Sequence, residues 1–169
     1  ENLDHVAGHV VNAAFWNGGQ NCSAASRLIV HKAVKPALME KIAARMRDWK
    51  TGDPLDPANY IGALIDAGHC EKVRSYLDTK GSGPFVEPVV LEVKAGDRRA
   101  TEEIFGPVLC VIEVASNDEA VRLANDTEYG LAASVFSASG RKGIRAARDI
   151  RAGTVTVNCY GEGNIATPF

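Results

Sequence analysis

The chain has no excess of charge of either sign, no long apolar run and little cysteine. Its 19 Lys and Arg stand against 21 Asp and Glu, a formal net charge of -2. Nucleic-acid binding calls for a basic excess or patch, and the sequence offers neither. No apolar stretch approaches the roughly 20 residues that cross a bilayer, so no membrane role is expected. The opening Glu1-Asn2-Leu3-Asp4-His5 lacks the basic and apolar regions of a secretory signal. It also lacks an initiator Met, which is read here as the mark of a longer chain. The four cysteines, Cys22, Cys70, Cys110 and Cys159, form no CxxC or CxxH pair. That spacing argues against a local zinc site and, with no export signal, points to a reducing, cytoplasmic setting. His5 and His9 sit four apart, but with no third ligand beside them they read as surface or packing residues rather than a metal site.

What is present fits a globular domain. The chain has 169 residues, 46% of them hydrophobic and 24% charged. That is enough apolar material for a sizeable core, and it excludes wholesale disorder. Leu3, Val6, Val10 and Ala13 recur at helical spacing and run into Phe15-Trp16, where Asn17-Gly18-Gly19 stops the helix. Arg27 to His31 reads as a strand, Val34 to Met46 as an amphipathic helix, and Asp66 as the cap of a helix carrying Cys70, Val73 and Leu77. Phe85 to Val93 is β-rich but interrupted by Pro88. Val108 to Val114 is apolar enough for a buried strand. A helix opened by Asn117-Asp118, a strand over 132–136, a helix over 141–150 and a strand over 154–158 follow. The alternation predicts one α/β unit, a mostly parallel open sheet with helices on both faces. No repeat or linker marks an internal boundary.

Chemistry concentrates in Phe15-Trp16-Asn17-Gly18-Gly19-Gln20-Asn21-Cys22-Ser23-Ala24. Glycines let a backbone turn sharply and approach a ligand. A thiol on such a loop is reachable, and nearby amides favour thiolate and a developing oxyanion. On spacing alone, a packed and inert loop cysteine is the commoner reading, since free cysteines are more often inert.

This stretch resembles the cysteine active-site signature of the NAD(P)-dependent aldehyde dehydrogenases. Further segments match family landmarks in order: Ala24 to Arg27, Gly52 to Pro57, Glu102 to Val108, Asn125 to Leu131 and Gly153 to Asn158. Together they span nearly the whole chain. The resemblance implies the Rossmann-like catalytic domain of such an enzyme over residues 1–169. It further implies that Cys22 is the nucleophile, adding to an aldehyde to give a thiohemiacetal. Hydride then passes to NAD or NADP, and water hydrolyses the thioester. Glu103 corresponds to the acid that hydrogen-bonds the nicotinamide ribose and Phe105 to the aromatic beside it. Trp16, Asn21, Tyr160 and Phe169 fall at or near the aldehyde tunnel. His69 and Lys72 fall where the family often has Gln and Lys reaching the adenosine ribose, and the His-for-Gln change keeps both out of the assigned site.

The departures are equally specific. The family's N-terminal cofactor-binding domain, its general-base Glu and the Asn completing its oxyanion hole are not in these residues, so the 169 residues alone are expected to be inactive. Lys80 runs almost directly into Gly83-Pro84, where the family has an additional short strand. A missing loop near 80–83 is expected rather than a deleted strand, which would leave backbone groups unpaired. The stretch from Tyr160 to Pro168 resembles a C-terminal loop of enzymes acting on amino-aldehydes, γ-glutamylated or betaine-type. The full-length protein is expected to be a homodimer or homotetramer. A relative that passes the thioester to CoA and a non-catalytic protein on the same scaffold are the alternatives.

Overall fold

Asn2 opens α1 (Leu3–Phe15) by accepting a hydrogen bond from the His5 amide, which satisfies one of the orphan donors of the first turn. The structure, a computed structural model, describes residues 2–78, 81–161 and 166. After α1 come a short 3₁₀ turn (Trp16–Gly19), β1 (Arg27–His31), α2 (Lys35–Met46) and α3 (Ala67–Leu77). Then follow β2 (Val89–Glu92), the short α4 (Arg98–Thr101), β3 (Val108–Val114), α5 (Asn117–Ala124), β4 (Ala132–Val135), α6 (Gly140–Asp149) and β5 (Thr154–Val157). Asp66, Ser116 and Ser139 each cap the helix that follows by accepting from an amide of its first turn. Among the described residues no helix is long and apolar enough to cross a membrane.

β1, β3 and β2 form a parallel sheet with β3 in the middle. Every β3 residue except Glu113 is buried, and the alternation of side chains explains why. Leu109 and Val111 face a core built from α1 and α2. Val108, Cys110, Ile112 and Val114 face a second core with α3, α4 and α5. A strand covered on both faces must be apolar throughout, which is the run seen in the sequence. Helices therefore cover both faces of this sheet, as expected.

Two expectations are corrected. Pro88 has no N–H to give a ladder, so β2 begins only at Val89, whose amide donates to the Pro107 carbonyl at 2.9 Å. The strands over 132–135 and 154–157 do not extend the first sheet. They pair with each other as a separate two-stranded parallel sheet. Asn158 ends that pair in a left-handed conformation, φ +61°, and its side chain accepts from the Ser137 amide at 2.8 Å and donates to the Ser137 carbonyl at 3.1 Å. The histidines of α1 face this second sheet. His5 Nε2 lies 3.2 Å from the Asn158 carbonyl, and the His9 ring packs on Phe136 with centroids 5.7 Å apart. Their role is packing between α1 and the sheet.

Candidate functional site

α1 delivers the cysteine loop. Phe15, fully buried, fixes the end of the helix, and Trp16 beyond it is 56% exposed rather than packed in the core. Asn17, Gly18 and Gly19 then take φ values of +53°, +64° and +70°, three left-handed residues in a row. Only Gly fits at the third. A Cβ on Gly19 would sit 2.1 Å from the Gly106 carbonyl oxygen and 3.1 Å from that of Ala14. The loop is thus seated directly on the backbone of the Glu102–Val108 segment. Gln20 ties it on another side, its Oε1 accepting from the Ile65 amide at 2.9 Å. The sequence reading missed Gln20, although an amide side chain between Gly-Gly and Cys was a visible signal.

Cys22 emerges exposed from this frame. Its Sγ lies 3.7 Å from Asn21 Oδ1, which also accepts from the amide and hydroxyl of Ser23 at 3.4 Å each. Asn21 Nδ2 in turn donates to the Tyr160 hydroxyl at 3.4 Å, so the segment that follows β5 reaches the cysteine loop. Of the expected pocket residues, Asn21 and Tyr160 are in contact, Trp16 stands exposed on the preceding turn, and Phe169 lies outside the described residues. Residues 79 and 80 and most of the stretch after Gly161 also lie outside them.

The other three cysteines differ in setting. Cys70 and Cys110 are buried and Cys159 is half-buried. Burial pushes the Cys110 thiol up to about 11, and its Sγ faces the Arg99 carbonyl at 3.1 Å. Iodoacetamide at mildly alkaline pH is therefore expected to modify Cys22 first, with Cys70 and Cys110 protected until the protein unfolds. Peptide mass mapping against time checks this, and Cys110 reacting as fast as Cys22 would contradict it.

The second half of the site is Glu102 to Gly106. Glu103 is exposed, and its carboxylate has no hydrogen-bonding or ion-pairing partner among the described residues. Phe105 is half-buried with φ +60°, a conformation rare for a bulky residue and found where surroundings impose it. His69 on α3 faces its carbonyl, Nε2 to O 2.7 Å. A Cβ on Gly106 would meet Val73 Cγ2 at 2.7 Å. Tyr76 donates to Glu102 Oε2 at 2.7 Å, a bond that raises the Tyr76 pKa. Lys72 is exposed on the same helix. The Gly19–Gly106 contact thus joins the thiol-bearing loop to the segment that carries Glu103 and Phe105.

The aldehyde dehydrogenase family model matches residues 1–169. Aminoacetaldehyde dehydrogenase of Pseudomonas aeruginosa is 54% identical over 183 aligned positions, which take in 100% of this chain and 37% of that protein. The crystal structure of gamma-glutamyl-gamma-aminobutyraldehyde dehydrogenase from Burkholderia cenocepacia superposes with a TM-score of 0.91 at 45% identity, over 96% of this chain and 36% of that one. Indole-3-acetaldehyde dehydrogenase, solved with NAD+, gives a TM-score of 0.94 at 38% identity over 99% and 38%. The chain thus spans little more than a third of the length of the relatives it matches.

Proposed function

This chain belongs to the aldehyde dehydrogenase family, and we propose that the protein containing it oxidises an aldehyde to a carboxylic acid with NAD or NADP, using Cys22 as nucleophile. One observation carries the proposal: the exposed cysteine sits on a loop whose Gly19 rests against Gly106, in the segment that also carries the exposed Glu103. Those residues suit the nicotinamide half of the cofactor. An unpartnered carboxylate is an acceptor for ribose hydroxyls, and the Phe105 ring offers an apolar face beside it. When bound, NAD(P)+ supplies the hydride acceptor.

The residues of this chain do the rest of the work assigned here. The Cys22 thiolate forms the C–S bond to the aldehyde carbon, while the Cys22 amide N–H donates to the oxygen that gains charge. Cys22 then holds the acyl group as a thioester until water releases the carboxylate. The base that activates that water and the site for the cofactor's phosphates are assigned to chain outside residues 1–169. The 169-residue polypeptide alone is accordingly expected to be inactive.

For substrate we favour an amino-aldehyde. The Tyr160 to Pro168 resemblance points that way, and the names of two relatives, an aminoacetaldehyde and a gamma-glutamyl-gamma-aminobutyraldehyde dehydrogenase, agree with it. A cytoplasmic setting, supported by the free cysteines, and a homodimer or homotetramer complete the reading.

The test is an assay of the complete protein with aminoacetaldehyde and with alkyl aldehydes of similar length, following NAD(P)H and identifying the product. NAD(P)H formed in step with a carboxylate, without CoA, and a higher kcat/KM for the amino-aldehyde are expected. An acyl-CoA product formed only when CoA is supplied would replace hydrolysis by transfer. A protein that forms no NAD(P)H with any aldehyde would overturn the proposal.

A further inference from the structure

One stripe of α3 carries His69, Val73 and Tyr76, spaced four and three residues apart as neighbours on a helix surface must be. All three meet the same short segment. His69 Nε2 is 2.7 Å from the Phe105 carbonyl oxygen, and the two rings meet edge-on with centroids 6.4 Å apart. A carbonyl only accepts, so Nε2 carries the proton and donates. Val73 fills the space where Gly106 has no side chain. Tyr76 donates to Glu102 beneath the Arg98 guanidinium, whose carbon lies 4.4 Å from the Tyr76 ring centroid. Glu103 and Phe105 lie between these anchors, and Phe105 holds a backbone conformation that an aromatic residue does not keep unaided. The His69 amide is itself fixed at the start of the helix by the Asp66 carboxylate at 2.7 Å.

We infer that His69 is a positioning residue: it pins the Phe105 carbonyl, and with Tyr76 it sets the Glu102–Gly106 backbone so that Glu103 and Phe105 face the cofactor. His69 acts through Phe105 rather than through a ribose contact of its own. The inference rests on the reading that Glu103 and Phe105 hold the nicotinamide half. It makes α3 the element that converts a strained turn into a preorganised one.

The test compares H69A, H69Q and Y76F with wild type in the complete protein. Hydrogen exchange of the Glu103, Phe105 and Gly106 amides is read without cofactor, NAD+ affinity by calorimetry, and KM for the aldehyde separately. H69A is expected to speed exchange at these amides and raise the Kd for NAD+ about tenfold, the loss of one buried-side hydrogen bond, with aldehyde KM unchanged. H69Q, whose amide N–H can donate to the same carbonyl, is expected to recover most of both effects. Y76F, which deletes only the donor to Glu102, is expected to loosen the same amides. Exchange and NAD+ affinity unaltered in H69A would overturn the inference, as would H69Q no better than H69A. A wild-type protein that binds no NAD+ would instead overturn the functional reading, while the exchange data would still decide whether His69 pins the turn.

Discussion

Replacing Cys22 with alanine in the complete protein is expected to lower aldehyde oxidation by about 10⁴-fold or more, the scale on which removing a covalent nucleophile acts. The melting temperature should stay close to wild type. The physical reason for the second half is on the surface of the molecule: Cys22 is exposed, and its sulfur makes only a long contact, 3.7 Å, to Asn21. Exposed substitutions away from special features usually shift stability by within about 0.5 kcal/mol. NAD+ binding should also survive, because Glu103 and Phe105 are positioned from α3 and not by the thiol. Serine should fare little better than alanine, since a hydroxyl needs an adjacent base to become a useful nucleophile. Cys159→Ala, at a half-buried position after β5, is the matched control and should keep activity. Intact-mass measurement after mixing with aldehyde and NAD+ should show an acyl adduct on wild type and none on C22A. A C22A protein retaining a large share of the rate would remove Cys22 from the mechanism. A wild-type protein on which neither alkylation nor C22A changed anything measurable would be the non-catalytic scaffold.

Much of this arrangement is written locally, and that is the part the sequence discloses. Val108 to Val114 reads as a buried strand because both of its faces are covered, leaving no polar alternation to disguise it. Asp66 announces α3 because its carboxylate has a specific duty at the helix start. Asn17-Gly18-Gly19 announces a break because its φ values are positive. Partnership is a different matter. Nothing in Ala132 to Val135 or Thr154 to Val157 says whether those strands join the first sheet or pair apart, since period and composition report exposure and not neighbours. The four-residue α4 is too short to show a period, and it is held by an Asp97 cap that also pairs with Arg99, whose guanidinium keeps the Asp97 carboxyl down at about 2. The site divides in the same way. Cys22 was visible as a reactive-looking thiol beside glycines, and Glu103 and Phe105 entered only through family resemblance. The positive φ of Phe105 has no sequence signature at all, because an aromatic residue predicts the opposite. His69 was visible but ambiguous: its partner, the Phe105 carbonyl, is a backbone atom far along the chain.

Gly19→Ala is expected to cost on the order of 3–5 kcal/mol, the upper end of what single substitutions do, because backbone strain and a main-chain clash coincide. Two causes add. A residue at φ +70° sits in the left-handed region, which L side chains enter only at a cost, and the new Cβ would lie 2.1 Å from the Gly106 oxygen and 2.5 Å from its carbonyl carbon. Neither neighbour can rotate away, because both atoms are main chain. Nor can Gly106 retreat, since Val73 already crowds its far side and its carbonyl accepts from the Val108 amide at 2.7 Å, where β3 begins. Gly18→Ala is the informative comparison. It has a similar φ, +64°, but its nearest obstacle is Leu64 Cδ2 at 3.3 Å, the end of a side chain that can shift. Its cost should be near the left-handed penalty alone, about 1–2 kcal/mol. The melting temperature of the complete protein should therefore fall about twice as far or more for G19A as for G18A. Surviving G19A protein should also lose activity, by about 10²-fold for each ångström that the loop moves off Gly106. Equal melting temperatures for the two variants would mean that the Gly19–Gly106 contact does not hold the thiol loop against the Glu103 turn, and the site would have to be assembled by Gln20 and Asn21 instead.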